Sequence, residues 1–183
     1  MKYAFIFDCD IPSGPDFRCM LGAGAETNLV MGISPIEEAV PLAARLAAEG
    51  YDTLGFCGAF DEPILEKIQE AAGPGVRVSP MEFFPDQLDL LNSMNSFREY
   101  GILIQADGLT GNARFLLSNS ACNAKVCFVP DFEHAMEAVE ELYNEGIYFI
   151  ECCGFFTGPM VREFIAATGG QIPVGSAGLH KEC

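Results

Sequence analysis

Short apolar runs, each closed by a polar or glycine-rich break, set the rhythm of this chain. Tyr3–Phe7 stops at Asp8, and Tyr100–Ile104 runs into a loop containing Asp107. Runs this short and unalternating predict strands buried on both faces, as in a parallel sheet. Two β-prone stretches follow each of them, Arg18–Leu21 with Asn28–Ile33, and Arg114–Leu117 with Lys125–Val129. Gly, Ala, Ser and Asn separate the members of each pair, which predicts a hairpin. The period then becomes helical. Ser34-Pro35-Ile36-Glu37 sets out a capping box, with Ser at N-cap, Pro first and Glu third. Ile36, Val40, Ala43, Ala44 and Ala47 keep helical spacing until Gly50 ends the run. The corresponding later helix begins at Asp131 after Pro130 and carries Phe132, Met136, Val139, Leu142 and Tyr143 up to Gly146. A buried strand comes next, Tyr51–Phe56 or Ile147–Cys152, and then a helix opened by Pro63 or Pro159 that ends near Gly73 or Gly169. Val76–Ser79 or Ile172–Gly175 supplies a last strand.

The paired ranges reflect an internal duplication. Tyr3, Asp10 and Gly14 recur as Tyr100, Asp107 and Gly111; after one dropped residue the register holds to the end. It matches Arg18 with Arg114, Glu37 with Glu133, Leu46 with Leu142, Gly50 with Gly146, Cys57-Gly58 with Cys153-Gly154, and Pro63 with Pro159. Such self-similarity is the signature of a repeated structural unit. The expected organisation is a first α/β repeat over 1–84, a helical linker over 85–98 and a second α/β repeat over 99–183. Leu88, Leu90, Leu91, Met94 and Phe97 make the linker a packed helix rather than a tether. The predicted fold class is α/β, two tandem repeats related by a pseudo-two-fold axis. Each repeat is a mainly parallel sheet with two right-handed crossover helices and a short hairpin.

Charge narrows the partners. The 183 residues hold 10 Lys and Arg against 26 Asp and Glu, a net charge of −16. Nucleic acid and anionic membrane surfaces repel such a surface. The start of the chain has too short an apolar run for an export signal, and no stretch approaches a membrane span. Its cysteines lie inside apolar segments, as in Leu54-Gly55-Phe56-Cys57 and Glu151-Cys152-Cys153, and so read as reduced thiols in a cytoplasmic protein. There is no Cys-x-x-Cys, and His134 and His180 are far apart in sequence, so no metal site is expected. Gly22-Ala23-Gly24 precedes β-like residues rather than a helix, and no P-loop or nucleophile elbow occurs, so no cofactor is called for. Monomer and homo-oligomer both stay open.

Three duplicated features map to the carboxyl ends of the strands, where parallel α/β sheets bind ligands. Cys57-Gly58 and Cys153-Gly154 close the central strand shortly before a helix. A helix N-terminus there would favour thiolate, and the glycine would let a ligand approach the backbone. Equally, a small apolar thiol can finish a buried strand and a glycine make the turn. Asp10 and Asp107, with Gly14 and Gly111, follow the first strand of each repeat. They can bind a ligand or serve as a base, or simply make a turn. Arg18 and Arg114 can clamp a carboxylate or phosphate, or form ion pairs within the fold. The function expected is small-molecule binding in these clefts, including thiol-assisted chemistry on a small carboxylate or carbonyl compound. A non-catalytic interaction module formed by fusing a homodimer is the alternative.

The opening Tyr-x-Phe-Ile-Phe strand, the Pro-(Asp/Ile)-x-x-x-Ala helix start, Glu-Gly-(Tyr/Ile) before the central strand and Cys-Gly-x-Phe-x-x-Pro after it form a recognisable set. It resembles a small bacterial family of α/β proteins of about 100 residues known as a domain of unknown function. The resemblance covers each half almost completely and implies a fused version of a protein that elsewhere pairs as a homodimer. It brings no catalytic residues. A second likeness is to cofactor-independent aspartate/glutamate racemases, whose two α/β halves each offer a cysteine to one cleft. Those enzymes carry Cys-Asn-Thr where this chain has Cys57-Gly58-Ala59 and Cys153-Gly154-Phe155, so only the geometry of two thiols for proton removal and return carries over.

Overall fold

The computed structural model describes residues 1–9, 17–58 and 60–181. Its contacts divide the chain into two compact units, Met1–Pro80 and Met81–Cys183.

In the first unit, strand β1 (Lys2–Asp8) lies between β3 (Glu26–Ile33) and β4 (Thr53–Cys57) and is parallel to both. β2 (Arg18–Ala23) pairs antiparallel with β3 as the predicted hairpin, and β5 (Arg77–Pro80) pairs parallel with β4. The order is β2-β3-β1-β4-β5. Helices α1 (Ala39–Ala48) and α2 (Glu62–Ala72) make the crossovers β3 to β4 and β4 to β5. Both cover one face of the sheet, because Ala4, Ile6, Leu29, Met31, Leu54 and Phe56 form one core with Leu42, Ala43, Leu46 and Ile68. Side chains alternate along a strand. Tyr3, Phe5, Phe7 and Cys57 therefore fall on the other face.

The capping box does not form. Pro35 has an extended backbone, φ −75° and ψ 169°, so Ser34 sits one residue too early to cap, and a 3₁₀ turn over Ile36–Glu38 leads into α1. The buried stripe of α1 is Ala39, Leu42, Ala43 and Leu46, while Ala44 points to solvent. In α2, Asp61 supplies the cap by accepting the Ile64 N–H at 3.1 Å.

The second unit repeats the design with an addition. β7 (Glu99–Gln105) is parallel to β9 (Asn123–Val129) and β10 (Phe149–Thr157), β8 (Ala113–Ser118) is antiparallel to β9, and β11 (Val174–Gly178) is parallel to β10. A short strand β6 (Glu82–Phe83) pairs antiparallel with β11, giving the order β6-β11-β10-β7-β9-β8. Residues 85–98, read from sequence as a link, contain α3 (Pro85–Asn92) and belong to this unit by contact. The buried Gln87 of α3 accepts the Val174 N–H at 3.1 Å. α4 (Phe132–Asn144) starts at Asp131 as expected, with its carboxylate taking the His134 N–H at 3.0 Å. α5 (Gly158–Ala167) follows β10 directly. Among the described residues, no helix is long and apolar enough to cross a membrane.

Candidate functional site

The site is best defined in the second unit, at the carboxyl ends of β7 and β10. β10 is longer than its counterpart β4, and its register with β11 shifts between Cys152 and Thr157. Its N-terminal half is regular. Ile150 sits opposite Gly101, and a side chain at Gly101 would strike Leu142 of α4 at 2.8 Å. Ile150 and Cys152 therefore face the helix, while Phe149, Glu151 and Cys153 face the other way. Phe149 stacks on Tyr100 at 4.9 Å on that second face. Cys57, by the same alternation in β4, also faces away from the helices. A position at the mouth of a crossover helix, as expected for both thiols, is thus replaced by one on the opposite sheet face.

The described cysteines, from Cys9 to Cys153, are buried and in no disulfide. Burial pushes the Cys153 thiol above its ordinary range, opposed by N–H donors of Phe155 and Gln105 and by the charge of Lys181. The Gln105 N–H donates to Cys153 Sγ at 3.3 Å. Burial drives Cys152 still higher, with added repulsion from Cys153 and Glu151. Burial wins because losing hydration penalises a thiolate more than single amide dipoles repay. Cys153 is therefore a neutral thiol at pH 7.

The main chain around Cys153 is fixed by Ser176, whose hydroxyl is buried. It donates toward Phe156 O at 2.5 Å and Cys153 O at 3.3 Å, and accepts the Gly178 N–H at 2.9 Å. Lys181 returns to the same place, its ammonium donating to Gly154 O at 2.6 Å. A Cβ on Gly154 would lie 2.7 Å from that nitrogen, so glycine lets the ammonium come close. In the first unit, Gly58 has φ 116°, and a Cβ there would lie 2.9 Å from the Asp8 Cβ.

Asp107 is exposed in the turn after β7, and its carboxylate accepts from Gln105 Nε2 at 2.8 Å. Positive φ in that turn belongs to Gly108, at 79°, rather than to the duplicated Gly111. Asp10 and Gly14 lie outside the described residues. Arg114 is engaged within its own unit, with Glu141 at 3.3 Å and Glu145 at 2.8 Å. Arg18 is exposed on the edge strand β2. The structure thus brings Cys153 and Gly154 together with Gln105 and, through Gln105, with Asp107; Arg114 is directed to α4. Gln105 and Lys181 had no signal in the repeat, because their counterparts are Asp8 and Pro85. Among the described residues, no group of three or more His, Cys, Asp or Glu side chains is placed to hold a metal ion.

Comparison with known proteins adds a family. The profile of a family of unknown function, DUF6506, matches residues 1–96 and again residues 98–182. The chain belongs to DUF6506, in tandem duplicate. This agrees with the resemblance drawn from the opening strand and the Cys-Gly-x-Phe-x-x-Pro segment. No curated protein sequence matches this DUF6506 chain. Among solved structures it is similar to unliganded arylmalonate decarboxylase, with 15% identity and a TM-score of 0.34 over 97% of this chain and 87% of the other. A second arylmalonate decarboxylase structure gives 14% identity and a TM-score of 0.35, covering 97% and 88%. A periplasmic solute binding protein of an ABC transporter from Actinobacillus succinogenes 130z, with bound D-allose, gives 9% identity and a TM-score of 0.27, covering 94% and 76%.

Proposed function

We propose that this DUF6506 chain binds a small carboxylate or carbonyl compound at the carboxyl ends of its strands, and that Cys153 acts on the bound compound. The observation that carries this reading is the Gln105 N–H directed at Cys153 Sγ, 3.3 Å away, beside the glycine that admits Lys181. A thiol held neutral by burial suits proton donation to an electron-rich carbon or oxygen better than attack as a resting nucleophile. Cys57 with Gly58 is the corresponding pair of the first unit. Asp107 is the further proposed ligand contact of the second unit, where Gly154 allows close approach, and Asp10 and Arg18 are those proposed for the first unit.

The rival reading is a non-catalytic interaction module. The ion pairs of Arg114 to Glu141 and Glu145 favour it, since they use a duplicated arginine to brace its own unit. Iodoacetamide labelling of the folded protein, mapped peptide by peptide, separates the two readings. Proton transfer to a ligand requires that Cys153 be reachable from solvent. Labelling of Cys153 in the native state, with rates rising above the ordinary thiol pKa of about 8.5, supports the proposal. If Cys153 resists until the protein unfolds, it is a packing residue and the proposal fails.

A further inference from the structure

The second unit carries a segment that lies on it with little apolar burial. β6 and α3, residues 82–92, join the outer edge of β11. In α3 only Gln87 is buried, and Leu88 is 45% exposed. Phe83 and Phe84 are half-buried. A polar clasp holds the segment down. The Arg162 guanidinium of α5 lies 3.6 Å from the Phe84 ring centroid and 3.2 Å from both Asp86 carboxylate oxygens. Gln87 Nε2 donates to Asp86 at 2.9 Å, and its Oε1 accepts the Val174 N–H at 3.1 Å. The contacts thus run from α5 through Asp86 and Gln87 to β11.

The receiving surface belongs to the second copy alone. A Cβ on Gly175 would lie 2.6 Å from the Phe83 ring, so that ring rests on bare main chain. The first copy has Ser79 in place of Gly175 and Glu66 in place of Arg162. A serine side chain would strike such a ring, and a glutamate would repel an aspartate. β5 ends its sheet, whereas β11 has β6 beside it.

We infer that β6 and α3 form a strap that opens and closes over the edge of β11 while the rest of the second unit stays folded. Local opening is easiest where apolar burial is slight and hydrogen bonds lie near solvent. The clasp meets both conditions, since the Arg162 and Asp86 side chains are 49% and 55% exposed. An eight-residue helix is too short to persist in water by itself. Lifting the strap therefore melts α3, and opening is an order–disorder step. It uncovers the outward Val174 N–H and the stretch Gly175-Ser176, against which Phe83 and Glu82 pair. The closed strap keeps this edge paired, and the open one bares it. The device is independent of any chemistry at Cys153.

Hydrogen exchange of the full chain, resolved by residue with NMR, reads the opening. Inside the strap, the Leu88 N–H is bonded to Phe84 O and the Ser93 N–H to Asp89 O, while the Val174 N–H is bonded to Gln87. These amides should exchange together, at least about a hundredfold faster than Ile102, Leu103 and Ile104 of the central strand β7, and without acceleration by low urea. Arg162→Met keeps an apolar stem over Phe84 and removes the charge. It should speed the strap amides about fivefold and leave those of β7 unchanged, which also shows that the variant is folded. If the strap amides exchange only at the rate of β7, the segment is an integral part of the sheet and the proposal is overturned. It is overturned equally if Leu88 and Ser93 exchange fast while Val174 stays with β7, because α3 then frays without baring the edge. Strap rates unchanged in Arg162→Met overturn the assignment of the clasp.

Discussion

Replacing Ser176 by Ala tests whether the bend in β10 that presents Cys153 is held by one hydroxyl. Ser176 is fully buried, at 0% exposure, so water cannot replace what the substitution removes. The hydroxyl bridges Phe156 O at 2.5 Å and the Gly178 N–H at 2.9 Å, with a longer contact to Cys153 O at 3.3 Å. A neutral hydrogen bond contributes about 1 kcal/mol net, but stranding a buried partner costs about 1–3 kcal/mol. Two stranded partners therefore place the loss near 3 kcal/mol. Since about 1.4 kcal/mol is a factor of ten, amide exchange in β10 and β11 should accelerate by roughly two orders of magnitude. Hydrogen exchange read by mass spectrometry on peptides covering these strands measures the local opening energy directly. Ser118→Ala, which removes an exposed hydroxyl bonded to Asn123, serves as the comparison and should cost about 0.5 kcal/mol or less. The reasoning is refuted if Ser176→Ala costs no more than Ser118→Ala.

Two further substitutions probe the same unit. Gly178→Ala would place a Cβ 2.6 Å from Gly154 O and 3.0 Å from Phe156 O; these are main-chain atoms held in the sheet, so a thermal melt should show a loss of about 2 kcal/mol. A melt unchanged from wild type would show that the end of β10 yields freely. Glu145 is held at about 2, against its ordinary 4.5, first by its hydrogen bond from Arg114 and then by that from Lys125. Its folded value is depressed, so the stabilisation is complete above pH 4.5 and is lost as pH falls toward 2. The side chain is 37% exposed, so screening reduces the contribution to about 1 kcal/mol. Urea titrations of Glu145→Gln should show that deficit at pH 7 and a smaller one at pH 3; equal deficits would exclude the ion pairs as its source.

Most of the fold was legible because the signals were local. Tyr3–Phe7 and Tyr100–Ile104 are apolar without alternation, which fits β1 and β7 lying inside parallel sheets. Asp131 and Gly146 marked α4 with little error, since a cap and a stop are written in neighbouring residues. Ser34 misled for a physical reason: its cap depends on the backbone of Pro35, which is extended. The site was less legible. Alternation along β4 and β10 turns Cys57 and Cys153 from the helices, a fact that depends on which face the helices cover. Arg114 carried a repeat signal, but its partners Glu141 and Glu145 lie a helix away in sequence. Lys181 reaches Gly154 only because the turn after β11 folds back, and its counterpart Pro85 offered no hint of a cation.

The sixth strand of the second sheet has a consequence for how such a gene can change. β6 and α3 fall within the first family match, which runs to residue 96, yet they fold with the second unit, β6 on β11 and Gln87 of α3 on Val174. What is inherited as the tail of one copy is a working part of the next. Neither copy can then be lost, reshuffled or traded at the family boundary without baring the outer edge of β11, and bare edges invite aggregation. A duplication that began as two interchangeable modules has been stitched into a chain whose halves must be passed on together.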